Sequence, residues 1–288
     1  MRTGTGGGAR VARILAFREK NDGHNHGRFA RGTPATRPDG RVIVNALRSD
    51  AVDAPTVSPH ELRSPVAGVA LWCCGLERTS DEIVALAASL SPAESARAER
   101  FGTDALRNRW IVGRATLRLL LAETLGIRAA DVPIRRGTRG RPELADVRAR
   151  VDFNVSHTRG VALIAIARNL PHGTRIGVDV ERADRSVGAD RLARKFLTGR
   201  EQATLEHATP DARRQLFLRY WTCKEAMSKA TGDGLAAPFR RLDVDLLAAP
   251  RLVDGPPPYV PERWSLQSVD VAGGLLATLA IWRGPADP

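Results

Sequence analysis

The chain has 288 residues, of which 43 % are hydrophobic, and its formal net charge at pH 7 is +12. This length and composition favour a globular protein with both helices and strands. No stretch approaches the roughly 18 consecutive apolar residues of a membrane span, and no apolar secretory signal opens the chain, so we expect neither. The positive charge suits an anionic partner, although general enrichment in arginine explains part of it.

Cysteine usage points to the compartment. Cys73, Cys74 and Cys223 show neither the spacing of metal ligands nor that of a disulfide framework. Adjacent cysteines rarely bridge each other, and disulfides are rare in a reducing environment. We therefore expect a cytoplasmic protein with reduced thiols.

The first elements in chain order follow a segment of different composition. Residues 1–65 are rich in Gly, Arg, Asp and Pro and lack sustained periodicity, which predicts a disordered N-terminal extension. Order is predicted to begin near VAGVALWCCGL (66–76), a strand-like stretch. A helix follows, with Ser91 as its N-cap, Pro92 at its first position and Glu94 three residues after the cap.

Two long helices dominate the remainder of the chain. The first covers residues 108–126 and ends at Gly126, and the second covers roughly 211–230 and ends near Gly232. Strands are predicted between and after them, at 151–157, 160–167, 175–181 and in a terminal hairpin around Gly273 and Gly274.

The two long helices resemble each other in sequence. With Trp110 aligned to Trp221, an offset of 111 residues, WIVGRATLR lies over WTCKEAMSK. Two unrelated amphipathic helices would often match this well. The alternative is that residues 66–172 and 173–288 are related halves, of which the second carries the candidate metal site.

RIGVDVE (175–181) places two carboxylates on one face of a strand. Residues two apart in a strand point the same way, so Asp179 and Glu181 share a face, and Gly177 leaves that face open beside them. Oxygen-only ligands favour Mg²⁺ over zinc or copper. The alternative is an exposed edge strand whose acids pair with neighbouring arginines, Arg175, Arg182 or Arg185.

The second long helix carries a carboxylate between two lysines. Glu225 and Lys229 lie within about 80° of Trp221 around the helix, and Lys224 lies about 60° to its other side. A surface Glu225–Lys229 pair is one interpretation. It does not explain why lysine is used, because only four of the 44 Lys+Arg residues are lysine. An ammonium is a compact charge with an adjustable pKa, which suits contact with a phosphate or a leaving group.

Two further segments carry polar side chains. FNVSH (153–157) ends a strand with Asn154, Ser156 and His157; the histidine could hold a phosphate or could simply be hydrogen-bonded. GTRGRPEL (137–144) is a glycine-rich basic loop that could grip phosphate, although such loops are common.

Four motifs in this order resemble those of the Sfp-type 4′-phosphopantetheinyl transferases: GRPEL (140–144), FNVSH (153–157), IGVDVE (176–181) and WTCKEAMSK (221–229). In that family the third typically reads G-[IV]-D-[IVL]-E and the fourth W-x-x-K-E-A-x-x-K. The resemblance covers about residues 66–288. It implies an α+β fold, a single-chain pseudo-dimer of two similar α/β halves with coenzyme A bound between them. Family members transfer phosphopantetheine to a carrier-protein serine and release 3′,5′-ADP.

The resemblance also implies roles at the reaction centre. Asp179, Glu181 and Glu225 would be the Mg²⁺ ligands, and Glu225 would also be the base toward the carrier serine, directly or through water. Lys224 and Lys229 would stabilise the pyrophosphate and the departing ADP.

Further roles are implied at the nucleotide end of coenzyme A. Ser156 and His157 match positions that grip it, and His157 is also a candidate catalytic group. The matches to the family's adenine and 3′-phosphate contacts are Arg97, Arg100, Gly140, Arg141 and Pro142. Glu94 departs from the family pattern, because many relatives carry a cation there.

Two other functions fit parts of the sequence. A basic nucleic-acid-binding protein would use the positive charge, but aromatic residues make up only 5 % and no recognised binding module is present. The second alternative is a relative that binds coenzyme A but has lost its activity. The presence of every proposed metal ligand and both lysines of the motif argues against such a loss. We therefore expect an Mg²⁺-dependent, monomeric transferase acting on apo acyl or peptidyl carrier proteins of polyketide or nonribosomal peptide pathways, without a membrane partner.

Overall fold

A computed structural model describes residues 59–137, 139–145 and 150–284. Residues 1–58 of the predicted N-terminal extension lie outside the described residues. The expectation that order begins near residue 66 is wrong, because strand β1 (His60–Leu62) lies before it and pairs with β2 (Val69–Gly75). None of the helices in the described ranges has the length and apolar character that crossing a bilayer requires.

The first half of the chain continues with three helices and four strands. They are α1 (Ser80–Ala87), α2 (Pro92–Ala98), α3 (Asp104–Leu125), β3 (Ile134–Arg136), β4 (Pro142–Leu144), β5 (Val151–Thr158) and β6 (Val161–Arg168). The predicted cap of α2 is confirmed, since Ser91 and Glu94 form a capping box. The sequence analysis missed α1, although Thr79 and Glu82 form another capping box at its start.

The second half begins with a strand and also contains three helices. Its elements are β7 (Thr174–Arg182), α4 (Ala189–Phe196), α5 (Gly199–Glu206), α6 (Pro210–Thr231), β8 (Asp243–Asp245), β9 (Arg251–Asp254), β10 (Trp264–Val269) and β11 (Leu275–Arg283). The predicted terminal hairpin is confirmed as the antiparallel pair β10–β11. Both long helices end at a glycine with positive φ, Gly126 after α3 and Gly232 after α6.

Two antiparallel sheets form the centre of the molecule. Their strand orders are β1-β2-β6-β5 and β10-β11-β7. One apolar core, which includes Leu163, Val178 and Leu279, lies between them. A second core lies between the first sheet and α3, and a third contains the apolar side of α6. Each half is thus a long helix packed on a sheet, which confirms the α+β pseudo-dimer; the boundaries 66–172 and 173–288 stay predictions.

Side chains of β5 join the two halves. At alternate positions Asp152, Asn154 and Ser156 accept hydrogen bonds from backbone N–H groups of β7, at N···O distances of 2.8, 3.0 and 3.3 Å. The donors are 24 residues later in each case, so the two strands run in the same direction. We call this row of contacts the seam. It fixes which residue of one half lies beside which residue of the other.

Gly177 sets how closely α6 approaches β7. A Cβ atom at Gly177 would overlap the carbonyl oxygen of Ala226 and lie 2.6 Å from the backbone nitrogen of Ala230. The expectation that Gly177 leaves an open face is therefore wrong, because the backbone of α6 covers it. This close packing brings the α6 side chains onto the Asp179 face of the strand.

We predict that Gly177→Ala lowers the free energy of unfolding by at least about 1–3 kcal/mol, because the added methyl meets rigid backbone. The matched control is Gly199→Ala, since a Cβ there has no neighbour within 4 Å and alanine favours a helix start. Chemical denaturation of both variants checks this. Equal stabilities would show that α6 does not need the glycine.

Candidate active site

A cleft of about 370 Å³ opens between α3, the loop before β4, β5 and the C-terminal end of α6. Its volume lies in the range of small-molecule sites, roughly 300–1,000 Å³. The basic side chains that line it are Arg97, Arg114, Arg136, Arg139, Arg141, His157 and Lys229. No acidic side chain is among the described residues of its lining. The cleft therefore suits a ligand with several negative charges.

One corner of the cleft concentrates positive charge. The Arg97 guanidinium lies over the Trp110 ring, 5.4 Å from its centroid. Burial lowers the pKa of Arg97, and the nearby charges of Arg136 and Arg100 lower it further. Arg100 is exposed and is not part of the lining, whereas Arg97 and Arg136 are. An anionic group bound here would relieve the repulsion between the guanidinium groups.

Glu94 holds two arginines of α3 instead of contributing a cation. Its carboxylate is buried, lies 2.6 Å from Nε of Arg114 and is also hydrogen-bonded by Arg118. Burial opposes ionisation, but the hydrogen bond from Arg118 and the neighbouring charges hold the pKa of Glu94 below its ordinary value. The acid at this position therefore positions Arg114 at the cleft.

The loop before β4 forms one wall of the cleft. Gly140 has φ of +82° and lines the cavity with Pro142; their contact with coenzyme A stays a prediction. Arg139 forms an ion pair with Asp233, just beyond α6. Asp233 also accepts a hydrogen bond from the buried Tyr259 hydroxyl, with an O···O distance of 2.5 Å. These contacts tie the loop to the second half.

Arg141 corrects a prediction. Its guanidinium is directed into the protein, where Nε donates to the Lys229 carbonyl (2.9 Å) and Nη2 to Asp152 (2.8 Å) and the Ile176 carbonyl (2.9 Å). The phosphate grip predicted for this side chain is therefore wrong, since these donors already have acceptors in the protein. Arg141 instead joins the cleft loop to the seam and to α6.

Lys229 connects the cleft to two of the residues predicted at the nucleotide and metal sites. Ser156 Oγ donates to Asp179 Oδ1 (2.8 Å), and Lys229 Nζ contacts both Ser156 Oγ and Asp179 Oδ1 at 2.7 Å. Asp179 has 0 % side-chain exposure, whereas Lys229 has 18 % and reaches the cleft. Ser156, predicted to grip the nucleotide, is buried beside the carboxylates and is not part of the cleft lining.

Asp179, Glu181 and Glu225 form what we call the carboxylate cradle. All three are buried, and Glu181 accepts from Thr158 (3.3 Å) and forms an ion pair with Arg185. As placed, however, no three potential metal ligands within the described ranges lie close enough to hold one ion. Convergence of the three carboxylates on one ion is not present among the described residues, and the shared metal site stays a prediction. The physical reason is that buried carboxylates need positive partners, and here Lys229 and Arg185 hold two of them.

The cradle combines both interpretations of the strand pattern. Arg185 pairs with Glu181, as the edge-strand alternative expects. The acids are nevertheless buried rather than exposed, because the seam and α6 cover that face.

His157 and Gly113 meet across the cleft wall. His157 lines the cavity, and a Cβ at Gly113 would lie 3.1 Å from its Nε2. The glycine in α3 therefore leaves room for the imidazole in the cleft wall. The contact of His157 with the nucleotide stays a prediction.

Lys224 corrects another prediction. Its side chain is 0 % exposed, and its ammonium donates to Glu201 (2.6 Å) and to the carbonyl oxygens of Phe196 (3.1 Å) and Phe239 (2.8 Å). All three N–H donors are used, so the predicted contact with pyrophosphate is wrong. Burial lowers the pKa of Lys224 and raises that of Glu201, because each group loses its hydration.

The sequence analysis assigned no role to several residues at or near the candidate site. Trp110 and Arg136 line the cleft, Asp152 and Asn154 form the seam, and Glu201 anchors Lys224. The available signal for Asp152 and Asn154 was the alternation of polar residues along β5. Arg136 had no signal beyond its charge, whereas Glu201 stands three residues after Thr198 in the pattern of a capping box.

Two family models match the chain. The model described as 4′-phosphopantetheinyl transferase superfamily matches residues 175–268, and the one described as 4′-phosphopantetheinyl transferase, N-terminal, matches residues 77–169. The two matches fall on opposite sides of the turn between β6 and β7.

Curated relatives carry the same activity in their names. The 4′-phosphopantetheinyl transferase HetI of Nostoc is 37 % identical over 58 % of this chain and 70 % of its own length. The putative 4′-phosphopantetheinyl transferase slr0495 of Synechocystis is 32 % identical over 61 % of this chain and 69 % of its own. A holo-(acyl-carrier-protein) synthase structure from Bacillus anthracis, in complex with coenzyme A, aligns over 38 % of this chain and 96 % of that one, with TM-score 0.30 and 18 % identity.

We predict that Lys224→Met lowers the free energy of unfolding by about 3–5 kcal/mol, because it leaves the Glu201 carboxylate buried without its cation. The matched control is Lys195→Met, which removes an exposed lysine whose ammonium lies over the Phe196 ring and should cost less than about 1 kcal/mol. Urea denaturation compares the two. If Lys224→Met lowers the free energy of unfolding no more than Lys195→Met does, Lys224 does not have the structural role described here.

Proposed function

Because the chain belongs to the 4′-phosphopantetheinyl transferase family, we propose that it moves the phosphopantetheine arm of coenzyme A to a serine of an apo carrier protein and releases 3′,5′-ADP. The net charge of +12 supports acidic carrier proteins as the partners. One observation carries the proposal: Lys229 belongs both to the lining of the cationic cleft and to the contacts of the buried cradle. If the nucleotide end of coenzyme A occupies the cleft, Lys229 would hold the diphosphate in the middle of coenzyme A close to the buried carboxylates.

The cleft would take the nucleotide end of coenzyme A. Arg97 and Arg136 supply positive charge at one corner, His157 lines the cavity beside α3, and the Gly140–Pro142 backbone forms a wall. Charge-assisted hydrogen bonds to phosphate are the strongest contacts available there. Arg100, outside the cleft, would attract the negatively charged coenzyme A at long range. Arg141 would hold the loop before β4 in place as a wall of the cleft.

The cradle fits Mg²⁺ in the chemistry of its donors. Its potential ligands, Asp179, Glu181 and Glu225, are carboxylates, which Mg²⁺ favours. Two of them, Asp179 and Glu181, lie beside protein cations, so the site tolerates positive charge. When bound there, the ion would neutralise diphosphate charge and orient the β-phosphorus.

The protein's own side chains would perform the remaining steps. Lys229 would donate hydrogen bonds to the diphosphate oxygens. Glu225 would accept the proton of the carrier serine, directly or through water, as the serine oxygen forms a bond to the β-phosphorus. The bond from that phosphorus to the ADP oxygen breaks in the same displacement, so 3′,5′-ADP leaves with its electron pair. Burial of the cradle limits competing attack by water.

We predict that Asp179→Asn, Glu181→Gln and Glu225→Gln each reduce transfer at least about 100-fold, since each removes a charge needed at the reaction centre. The assay incubates protein, coenzyme A, Mg²⁺ and apo carriers and weighs the carriers for the added arm. The control is Asp184→Asn, because Asp184 is an exposed acid in the following turn with 65 % side-chain exposure. If the three folded variants transfer the arm at a near-normal rate, the carboxylate cradle is not the reaction centre.

A second prediction concerns the cleft. Arg97→Ala and Arg136→Ala should each raise the KM for coenzyme A by about 10- to 100-fold, the loss expected for one charge-assisted hydrogen bond. Arg128→Ala is the control, since this arginine is 85 % exposed and pairs with Asp131. An unchanged KM in both cleft variants would place the nucleotide elsewhere.

A further inference from the structure

We propose that Arg114 binds the 3′-phosphate of coenzyme A and that Glu94 is the residue that positions it. The inference rests on the proposed function and adds a determinant of specificity to it, because coenzyme A differs from dephospho-coenzyme A only in this phosphate.

The contact between α2 and α3 brings Arg114 to the cleft. Residues three apart lie on one face of a helix, so Glu94 and Arg97 of α2 face α3 together. Glu94 pairs with Arg114, and Arg97 lies over the ring of Trp110, one helical turn earlier on α3. Arg97, Trp110 and Arg114 all line the cleft. Two guanidinium groups therefore share the wall that α2 and α3 form.

Glu94 restrains one side of the Arg114 guanidinium. Its Oε1 lies 2.6 Å from Arg114 Nε, and its Oε2 accepts hydrogen bonds from Arg118 and from the Ser91 backbone N–H. Arg118 is itself held, because its Nη1 also donates to the carbonyl oxygen of Ala129. The carboxylate therefore cannot turn without breaking several contacts, and it fixes the orientation of Arg114.

The other donors of Arg114 are available to a ligand. Among the described residues, Glu94 is its only ion-pair or hydrogen-bond partner, and the short contact is to Nε. The side chain keeps 18 % exposure at the cleft. A planar guanidinium that is held at Nε can offer the N–H groups of its two Nη atoms to a phosphate in a defined geometry.

The charges of this group favour an anion. Two guanidinium groups and one carboxylate leave one net positive charge on Glu94, Arg114 and Arg118. Burial lowers the pKa of Arg114, Glu94 opposes this effect, and the charges of Arg118 and Arg97 lower the pKa further. A phosphate bound between Arg97 and Arg114 would relieve the repulsion between these cations.

The chemistry of coenzyme A decides which phosphate lies here. Its negative charge is found in two places, the diphosphate and the 3′-phosphate. Lys229, on the α6 side of the cleft, is proposed to hold the diphosphate near the carboxylate cradle. Arg97 and Arg114 lie on the wall formed by α2 and α3, so they would take the remaining phosphate.

The test measures the dissociation constants of coenzyme A and dephospho-coenzyme A by isothermal titration calorimetry in metal-free buffer. We expect Arg114→Gln to weaken coenzyme A binding at least about tenfold, the loss expected for one charge-assisted hydrogen bond, and to change dephospho-coenzyme A binding less than about threefold. Circular dichroism melting establishes that each variant is folded.

The matched control is Arg109→Gln. Arg109 is another arginine of α3 that pairs with an acid, Glu77, at 2.7 Å, but it is not part of the cleft lining. This variant should leave both dissociation constants within about twofold, because distant surface charges are largely screened.

A double-mutant cycle tests the role of Glu94. Glu94→Gln keeps a side chain that can cap α2 but removes the carboxylate, and we expect it to weaken coenzyme A binding although it makes the cleft more positive. A carboxylate that acts only as a counter-charge would instead strengthen binding when it is removed. In the Arg114→Gln background, Glu94→Gln should cause no further loss, because the two residues act as a unit.

The possible contrary results have different meanings. Tighter coenzyme A binding by Glu94→Gln would overturn the positioning role. Unchanged coenzyme A binding by folded Arg114→Gln, or an equal loss for both ligands, would overturn the assignment of Arg114 and leave the proposed function in place. Failure of the unmodified protein to bind coenzyme A would overturn the proposed function and the inference with it.

Discussion

The close approach of α6 to β7 determines the rest of the site. Gly177 lets the helix backbone lie directly on the strand, and this contact places Lys229 within hydrogen-bonding distance of Asp179. Any larger side chain at Gly177 would separate the two elements, because the atoms it would meet belong to rigid backbone. Gly177 has no reactive side chain, yet it sets the distance between the charged groups of Lys229 and Asp179.

Buried acids form a second organising feature. Glu94, Glu201, Asp179 and Glu181 each hold at least one cation in the protein. Burying these charges in pairs avoids the large cost of burying any of them alone. Lysine serves where an ammonium must satisfy several oxygens in a small space, as Lys224 does, whereas arginine serves where one group must span separate elements, as Arg141 does.

The sequence predicted the elements with long, regular patterns. Strands β5, β6 and β7 and both long helices follow from apolar periodicity and glycine ends, whereas the eight-residue α1 had only its capping residues to reveal it. Within the site, periodicity placed Asp179 and Glu181 on one face correctly. It failed for Lys224 because a helical angle does not state which element packs against that side. The partners of Arg141 are carbonyl groups distant in sequence, and no local pattern encodes them.

The seam between β5 and β7 has a consequence for how this protein can be recombined. Ordinary strand pairing uses backbone groups that every residue except proline supplies, but here one strand contributes a carboxylate, an amide and a hydroxyl at alternate positions. The two halves therefore fit together only when β5 carries hydrogen-bond acceptors at positions 152, 154 and 156. A chimera that takes its first half from a divergent homologue keeps a working junction only if these three acceptors travel with it.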